Sequence, residues 1–270
     1  MVTIQRCLII CMAALLMIAC ATSPTGRHQL MLVSESSAIA SSKQAYVSTV
    51  NELDAAGKIE EDPAINRRVK TITGRLITEA IKMRPDTADW EWSVVVIDDP
   101  EMVNAWCMAG GRMAIYTGLI EQIEPTDDEL AQVMGHEISH ALAKHSAEKM
   151  SMQIATSVGV AVVGIASDNT GVALTGAALT AMLAVNLPNS RAAEKEADVI
   201  GIELAARAGY DPKAAATLWG KMGATSKSST PQFLSTHPAP ENRQQKLAKL
   251  ESKMLPYYQP DADHTVYPLY

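Results

Sequence analysis

The segment from Pro125 to His140 constrains this chain more than any other, because it fits a single helix carrying two histidines one turn apart. Thr126 followed by Glu129 is a capping box, and Asp127 and Asp128 fall in the first turn, where the helix dipole favours negative charge. Leu130, Val133, Met134, Ile138, Ala141 and Leu142 then recur at helical spacing. His136 and His140 lie about 40° apart around such a helix, so two imidazoles can reach one ion. Glu137 lies about 100° from His136 and can address a water on that ion without being a ligand. This is the pattern of a metal-dependent hydrolytic site.

Two histidines do not make a catalytic zinc site, which takes a third protein ligand and keeps one position open. On a continuous helix His145 lies about 140° from His140 and about 180° from His136, so it is expected at the surface or in support. Glu194 is the better third ligand. It falls on a later helix with Asp198 one turn on, so one carboxylate can bind zinc while the other orients a ligand histidine. Glu196 points to another face and reads as a solvated charge. Were His136 and His140 ordinary core residues, Glu137 and Glu194 would be costly carboxylates among apolar neighbours. A purely structural zinc fits less well than an open site holding one ion per chain.

The 270 residues suffice for one sizeable domain. A net charge of −7 argues against nucleic acid as a partner. With one Phe and 14 Met, the core must rest on aliphatic side chains. Residues 1–19 read as a targeting segment, with Arg6 in the charged region and Leu8 to Ala19 apolar, too short for a span of about 20 residues. Ile18-Ala19-Cys20 resembles the lipobox of bacterial lipoproteins, with Met17 where Leu is usual; it implies lipid on Cys20. Ala21 resembles the default that directs such proteins to the outer membrane. The alternative is an ordinary signal peptide cut nearby. Cys7 and Cys11 would leave with the leader, so Cys107 stands without a disulfide partner and reads as a small buried hydrophobe.

Residues 20–33, with Thr, Ser, Pro and Gly, read as a lipidated tether. Helices are expected from Ser34 to Ala56 and from Asp62-Pro63 to Pro85. Trp92 to Ile97 and Arg112 to Thr117 read as strands, the second following a turn or bulge at Gly110-Gly111. The second could bind an extended substrate along its edge, through Gly111 and Met113, or be part of a plain hairpin; Arg112 is expected in solvent. The apolar tract 154–187, broken at Ser167-Asp168-Asn169, reads as two hydrophobic helices packed internally or against a partner, with a membrane hairpin as the alternative. Helices follow from Asn189-Ser190 to Arg207 and from Asp211-Pro212, then a polar loop over 226–230 and a last helix to about Met254. The domain thus covers 34–255, and 256–270 read as an irregular tail.

His136-Glu137-x-x-His140 with Ser190-Arg191-x-x-Glu194-x-x-Ala197-Asp198 resembles the gluzincin peptidases of the HtpX and CAAX-prenyl-protease family, most of all periplasmic lipoprotein members such as LoiP. The resemblance runs from about Ser34 to Met254. Asn104-Ala105-Trp106 is similar to the family's substrate-binding edge, and Thr236-His237-Pro238 with Arg243 to its C-terminal segment. It implies an α+β, mostly helical, zincin-like domain with a small sheet beside the site helix. It also implies a zinc metalloendopeptidase with His136, His140 and Glu194 as ligands, Glu137 as general base and Asp198 in support. Asn104, Ala105 and the strand holding Gly111 and Met113 would take the substrate backbone. His237 would stabilise the oxyanion or occupy the open zinc position, and Arg243 would support its segment or be a surface charge. The implied substrates are misfolded or misassembled envelope proteins, met from the periplasmic face of the outer membrane. A chaperone-like assembly factor with a rarely used site is the competing function, its partner surface being the tract 154–187. A prenyl-protein processing enzyme is a third.

Overall fold

Side-chain caps start three of the helices in the computed structural model, which describes residues 20–166, 187–225, 232–237 and 242–269. The expected leader, residues 167–186 of the apolar tract and the polar loop lie outside these residues. Ser34 caps α1 (Glu35–Ala55) by accepting from Ser37 N, and Asp62 caps α2 (Pro63–Met83) by accepting from Ala64 N. The order continues β3 (Ser93–Ile97), β4 (Ala105–Met108), β5 (Arg112–Tyr116), α3 (Thr117–Ile123) and α4 (Asp127–Leu142). Then follow α5 (His145–Ala166), α6 (Leu187–Arg207), α7 (Ala214–Thr225), α8 (Gln232–Thr236) and α9 (Arg243–Met254). No helix among the described residues is long and apolar enough to cross a membrane.

The α4 helix carries the capping box read from sequence: Glu129 N donates to Thr126 Oγ1, and Thr126 N to Glu129. It is buried on nearly every side, more than its apolar stripe required. One flank meets α2 and the sheet, the other α6, and Leu130, Met134 and Ile138 are fully buried in this shared core. Burial of each is worth roughly 1.5–3 kcal/mol. Glycines set the α4–α6 crossing: a Cβ on Gly135 would stand 2.9 Å from Gly201 O, and one on Gly201 2.8 Å from His136 N. The backbones therefore pass in contact beside the first histidine.

The sheet order is β3-β5-β4, with β3 parallel and β4 antiparallel to β5. Gly110 and Gly111, at φ +85° and +81°, close the β4–β5 hairpin in a conformation only glycine adopts readily. Because β5 is the central strand, its backbone is paired on both sides. Gly111 is closed off as well: its N–H donates to Met108 O, its carbonyl accepts from Ser93 N, and the Trp92 ring packs against it. Met113 is fully buried. Neither residue can take a substrate backbone, which corrects that expectation. Arg112 is also not in solvent: it is 4% exposed and ion-paired with Glu91.

The stretch read as a tether holds a hairpin, β1 (Cys20–Thr22) and β2 (His28–Leu30). Gln29 in β2 is buried and donates to Ala143 O, the carbonyl just past α4. Beyond a short turn at Leu255–Tyr257, residues 258–269 form no helix or strand, but they pack. Tyr267 N donates to Gly74 O, where a Cβ would stand 2.6 Å from Tyr267 O.

Candidate metal centre

The helical pitch of α4 does what the spacing requires: His136 Nε2 and His140 Nε2 stand 3.1 Å apart. From α6, Glu194 brings Oε2 to 3.3 Å from His136 Nε2 and Oε1 to 3.5 Å from His140 Nε2. Ligands about 2.05 Å from a tetrahedral ion are about 3.3 Å apart, so these separations fit a zinc coordination shell. The donor set, two imidazoles and a carboxylate, also suits a catalytic zinc. His237 adds a fourth donor, its Nδ1 3.3 Å from His136 Nε2 and 3.2 Å from both Glu194 oxygens. All four ligand atoms lie within 4.8 Å of one another.

The surroundings are polar and buried. Asp198 Oδ1 lies 3.2 Å from His136 Nδ1 and accepts from Arg243, whose Nη1 also lies 3.4 Å from Glu194. Arg243 is 3% exposed, with Cζ 3.8 Å from the centre of the Trp219 ring. It is therefore a buried support and not a surface charge. Burial disfavours a charged His136, but hydrogen bonds with Asp198 and Glu194 outweigh it and lift the pKa to about 9. Burial likewise opposes ionised Glu194, yet His136 and His237 hold it well below the usual carboxylate range. Burial, then the nearby histidine charges, keep His140 far below 6.5 and so neutral.

Glu137 faces this cluster from the same helix. Its Oε1 is buried without a hydrogen-bond partner, with His237 Nε2 3.3 Å away. Burial raises its pKa against the pull of His237 and His136. His237 itself is held by α8: Phe233 packs at 4.6 Å between ring centres, and Phe233 N donates to Val103 O next to β4.

A family model, Peptidase family M48, matches residues 63–251. The chain belongs to peptidase family M48. That stretch covers α4, α6, α8 and most of α9, and it includes His136, His140, Glu194 and His237. Among its M48-like relatives is the mitochondrial metalloendopeptidase OMA1 of Arabidopsis thaliana, 34% identical over 64% of this chain and 35% of that protein. OMA1 of Bos taurus is 30% identical over 84% of the chain and 45% of its own length. The beta-barrel assembly-enhancing protease of Escherichia coli is 28% identical over 72% and 40%. The chain thus spans less than half the length of each.

The remaining expected residues fall into two groups. Asn104 and Ala105 sit at the start of β4, whose outer edge has no strand partner among the described residues. Tyr116 N donates to Asn104 O, so by antiparallel alternation Ala105 and Cys107 turn their peptide groups outward. Asn104 Oδ1 is buried without a partner. Cys107 is buried, and burial pushes its thiol pKa well up, as expected of an inert side chain. Cys20 begins β1, away from these ligands in the sequence.

One expectation fails here, and one open alternative closes. Glu196 is not a solvated charge but 4% exposed, accepting from His145, Ser23, Thr25 and Arg27. Of the two places expected for His145, the surface is excluded: it is buried beside His140, because Lys144 at φ +58° interrupts the helix and swings it back. No local signal announced either: both depend on partners far off in sequence or on a left-handed lysine.

Proposed function

We propose that the chain is a zinc-dependent endopeptidase in which His136, His140 and Glu194 hold one zinc ion and Glu137 is the general base. One observation carries this reading: three ligand-type atoms meet at tetrahedral spacing beside a buried carboxylate with a free oxygen. A zinc ion bound there supplies Lewis acidity, polarising a carbonyl and acidifying water. Glu137 accepts the proton of the attacking water and returns it to the leaving amine nitrogen. Its raised pKa suits a group that must take and release a proton near neutrality. Asp198, held by Arg243, fixes the His136 ring through Nδ1 and keeps Nε2 aimed at the ligand cluster.

His237 Nδ1 stands where a fourth ligand would, which favours the latent-site role over the oxyanion role. In this reading the resting site is closed by His237, and substrate entry requires it to withdraw. An extended peptide adds to the outer edge of β4, using the peptide groups of Ala105 and Cys107, while Asn104 Oδ1 accepts a substrate N–H.

The substrates are polypeptides, and envelope proteins that have misfolded or misassembled are the class favoured. The relatives named beta-barrel assembly-enhancing protease support it, as do the leader-like residues 1–19 and Cys20. Lipid on Cys20 would hold the 34–255 domain at the periplasmic face of the outer membrane.

The test is degradation of casein, an unfolded protein, by the purified chain and its Glu137→Gln variant. Cleavage by the first and not the second, with zinc bound by both, is the expected result. If neither cleaves and both hold one zinc, the assembly-factor function gains. Cleavage that survives the substitution would sink the mechanism.

A further inference from the structure

His140 shows two faces. Nε2 looks into the ligand cluster, while Nδ1 lies 2.8 Å from Nδ1 of His145. The other nitrogen of His145, Nε2, lies 3.2 Å from Glu196 Oε2. Arg27 donates to the same oxygen through Nε at 2.8 Å, and Ser23 and Thr25 donate to Oε1. Both oxygens of Glu196 are thus filled by hydrogen bonds, three of the four from the loop between β1 and β2. Arg27 is itself fixed by a bidentate pair with Glu148, both bonds 2.6 Å.

Chemistry allows one arrangement of protons along this line when His140 is a ligand. Its Nε2 must keep a lone pair for the metal, so the neutral ring carries hydrogen on Nδ1. That hydrogen is donated to His145 Nδ1, which must then be the acceptor. His145 carries its own hydrogen on Nε2 and donates it to Glu196. A carboxylate with all its other acceptor sites taken enforces this order.

We infer that His145 and Glu196 are positioning residues for the ligand His140, and that the N-terminal hairpin completes this relay through Ser23, Thr25 and Arg27. The inference rests on the metal-centre reading above. It makes residues 20–30, outside the matched family segment, a working part of the site. Partners that orient a ligand histidine typically carry 10- to 100-fold of metal affinity.

The test measures zinc affinity of the full chain by chelator competition, with thermal unfolding of each metal-free variant alongside. His145→Ala and Glu196→Gln are expected to weaken zinc binding by about 10- to 100-fold, and Arg27→Ala by less. His145→Asn can return an acceptor to His140 Nδ1 through its carboxamide oxygen, so it is expected to recover much of the loss. In the cobalt-substituted protein, His145→Ala should shift the visible d–d bands, reporting a changed ligand field. If the variants only lower the unfolding temperature and bind zinc like the parent, the residues are structural and the inference is wrong. An Arg27→Ala protein with parental affinity beside a weakened Glu196→Gln would remove the hairpin from it. A parent chain that binds no zinc would instead overturn the metal-centre reading itself.

Discussion

His237 is the residue whose role most depends on a fraction of an ångström. A general oxyanion donor would stand off the ligand cluster, whereas Nδ1 lies 3.2 Å from both oxygens of Glu194, within the cluster's own spacing. A side chain at the fourth corner competes with substrate for that corner. Removing it therefore favours the open form. His237→Ala is expected to raise the initial rate of casein cleavage severalfold while leaving one zinc per chain, measured by initial rates and metal content. A loss of about 100-fold in rate instead would assign His237 to transition-state stabilisation. The meeting of His136 and His140 with Glu194 was legible in the sequence, the histidines because a helix turns residue number into direction and Glu194 because Asp198 lies one turn beyond it. Glu196 was misread by the same logic: its face is buried only because a loop some 170 residues earlier covers it.

At the scale of elements, the centre depends on two helices held at one distance. Gly135 and Gly201 let α4 and α6 touch, and a methyl at position 201 would stand 2.8 Å from His136 N and 3.0 Å from Gly135 C. Backbone on a buried helix cannot give way as a side-chain tip would. Gly201→Ala should push α6 outward, costing about 1–3 kcal/mol as overpacked cores do, and it should move Glu194 away from the histidines. Denaturant unfolding and zinc titration of that variant would both register it; a change in stability alone would mean that the helices separate without moving the ligand. Caps and periodicity announced α1, α2, α4 and α6 to within a few residues, since those signals are local. The strand order was not announced. Placing β5 between β3 and β4 is a long-range choice, and it took Gly111 and Met113 out of reach of any substrate. The short α3 helix was not anticipated either, having no capping side chain and ending at Glu124 in a left-handed conformation.

For the molecule as a whole, the buried charges make stability and metal binding depend on pH in opposite ways on the alkaline side. Glu194, Glu196 and Glu129 are all held below an ordinary carboxylate, despite burial, by their histidine, hydroxyl, arginine and lysine partners. Their contribution is full above the unfolded value of about 4.3 and is lost as pH falls through their folded values. His136 runs the other way. Its metal-free pKa of about 9 exceeds the unfolded value of about 6.5, so its contribution, roughly 3 kcal/mol, is full below about 6.5 and lost as pH rises through 9. The metal-free chain should therefore lose stability as pH rises from about 6.5 through 9, and again as it falls below about 4.3, with its unfolding temperature falling at both ends. Zinc held by His136, as proposed, would replace that proton. Below pH 9 each binding event must expel it, so the apparent zinc affinity should rise about tenfold per pH unit from 6 to 8 and level off above 9. Neutral His140 and ionised Glu194 have no proton to give up over that range. Chelator competition at three pH values reads the slope directly. A hundredfold change per unit would mean that a second group loses a proton on binding, and a flat profile that His136 is not a ligand.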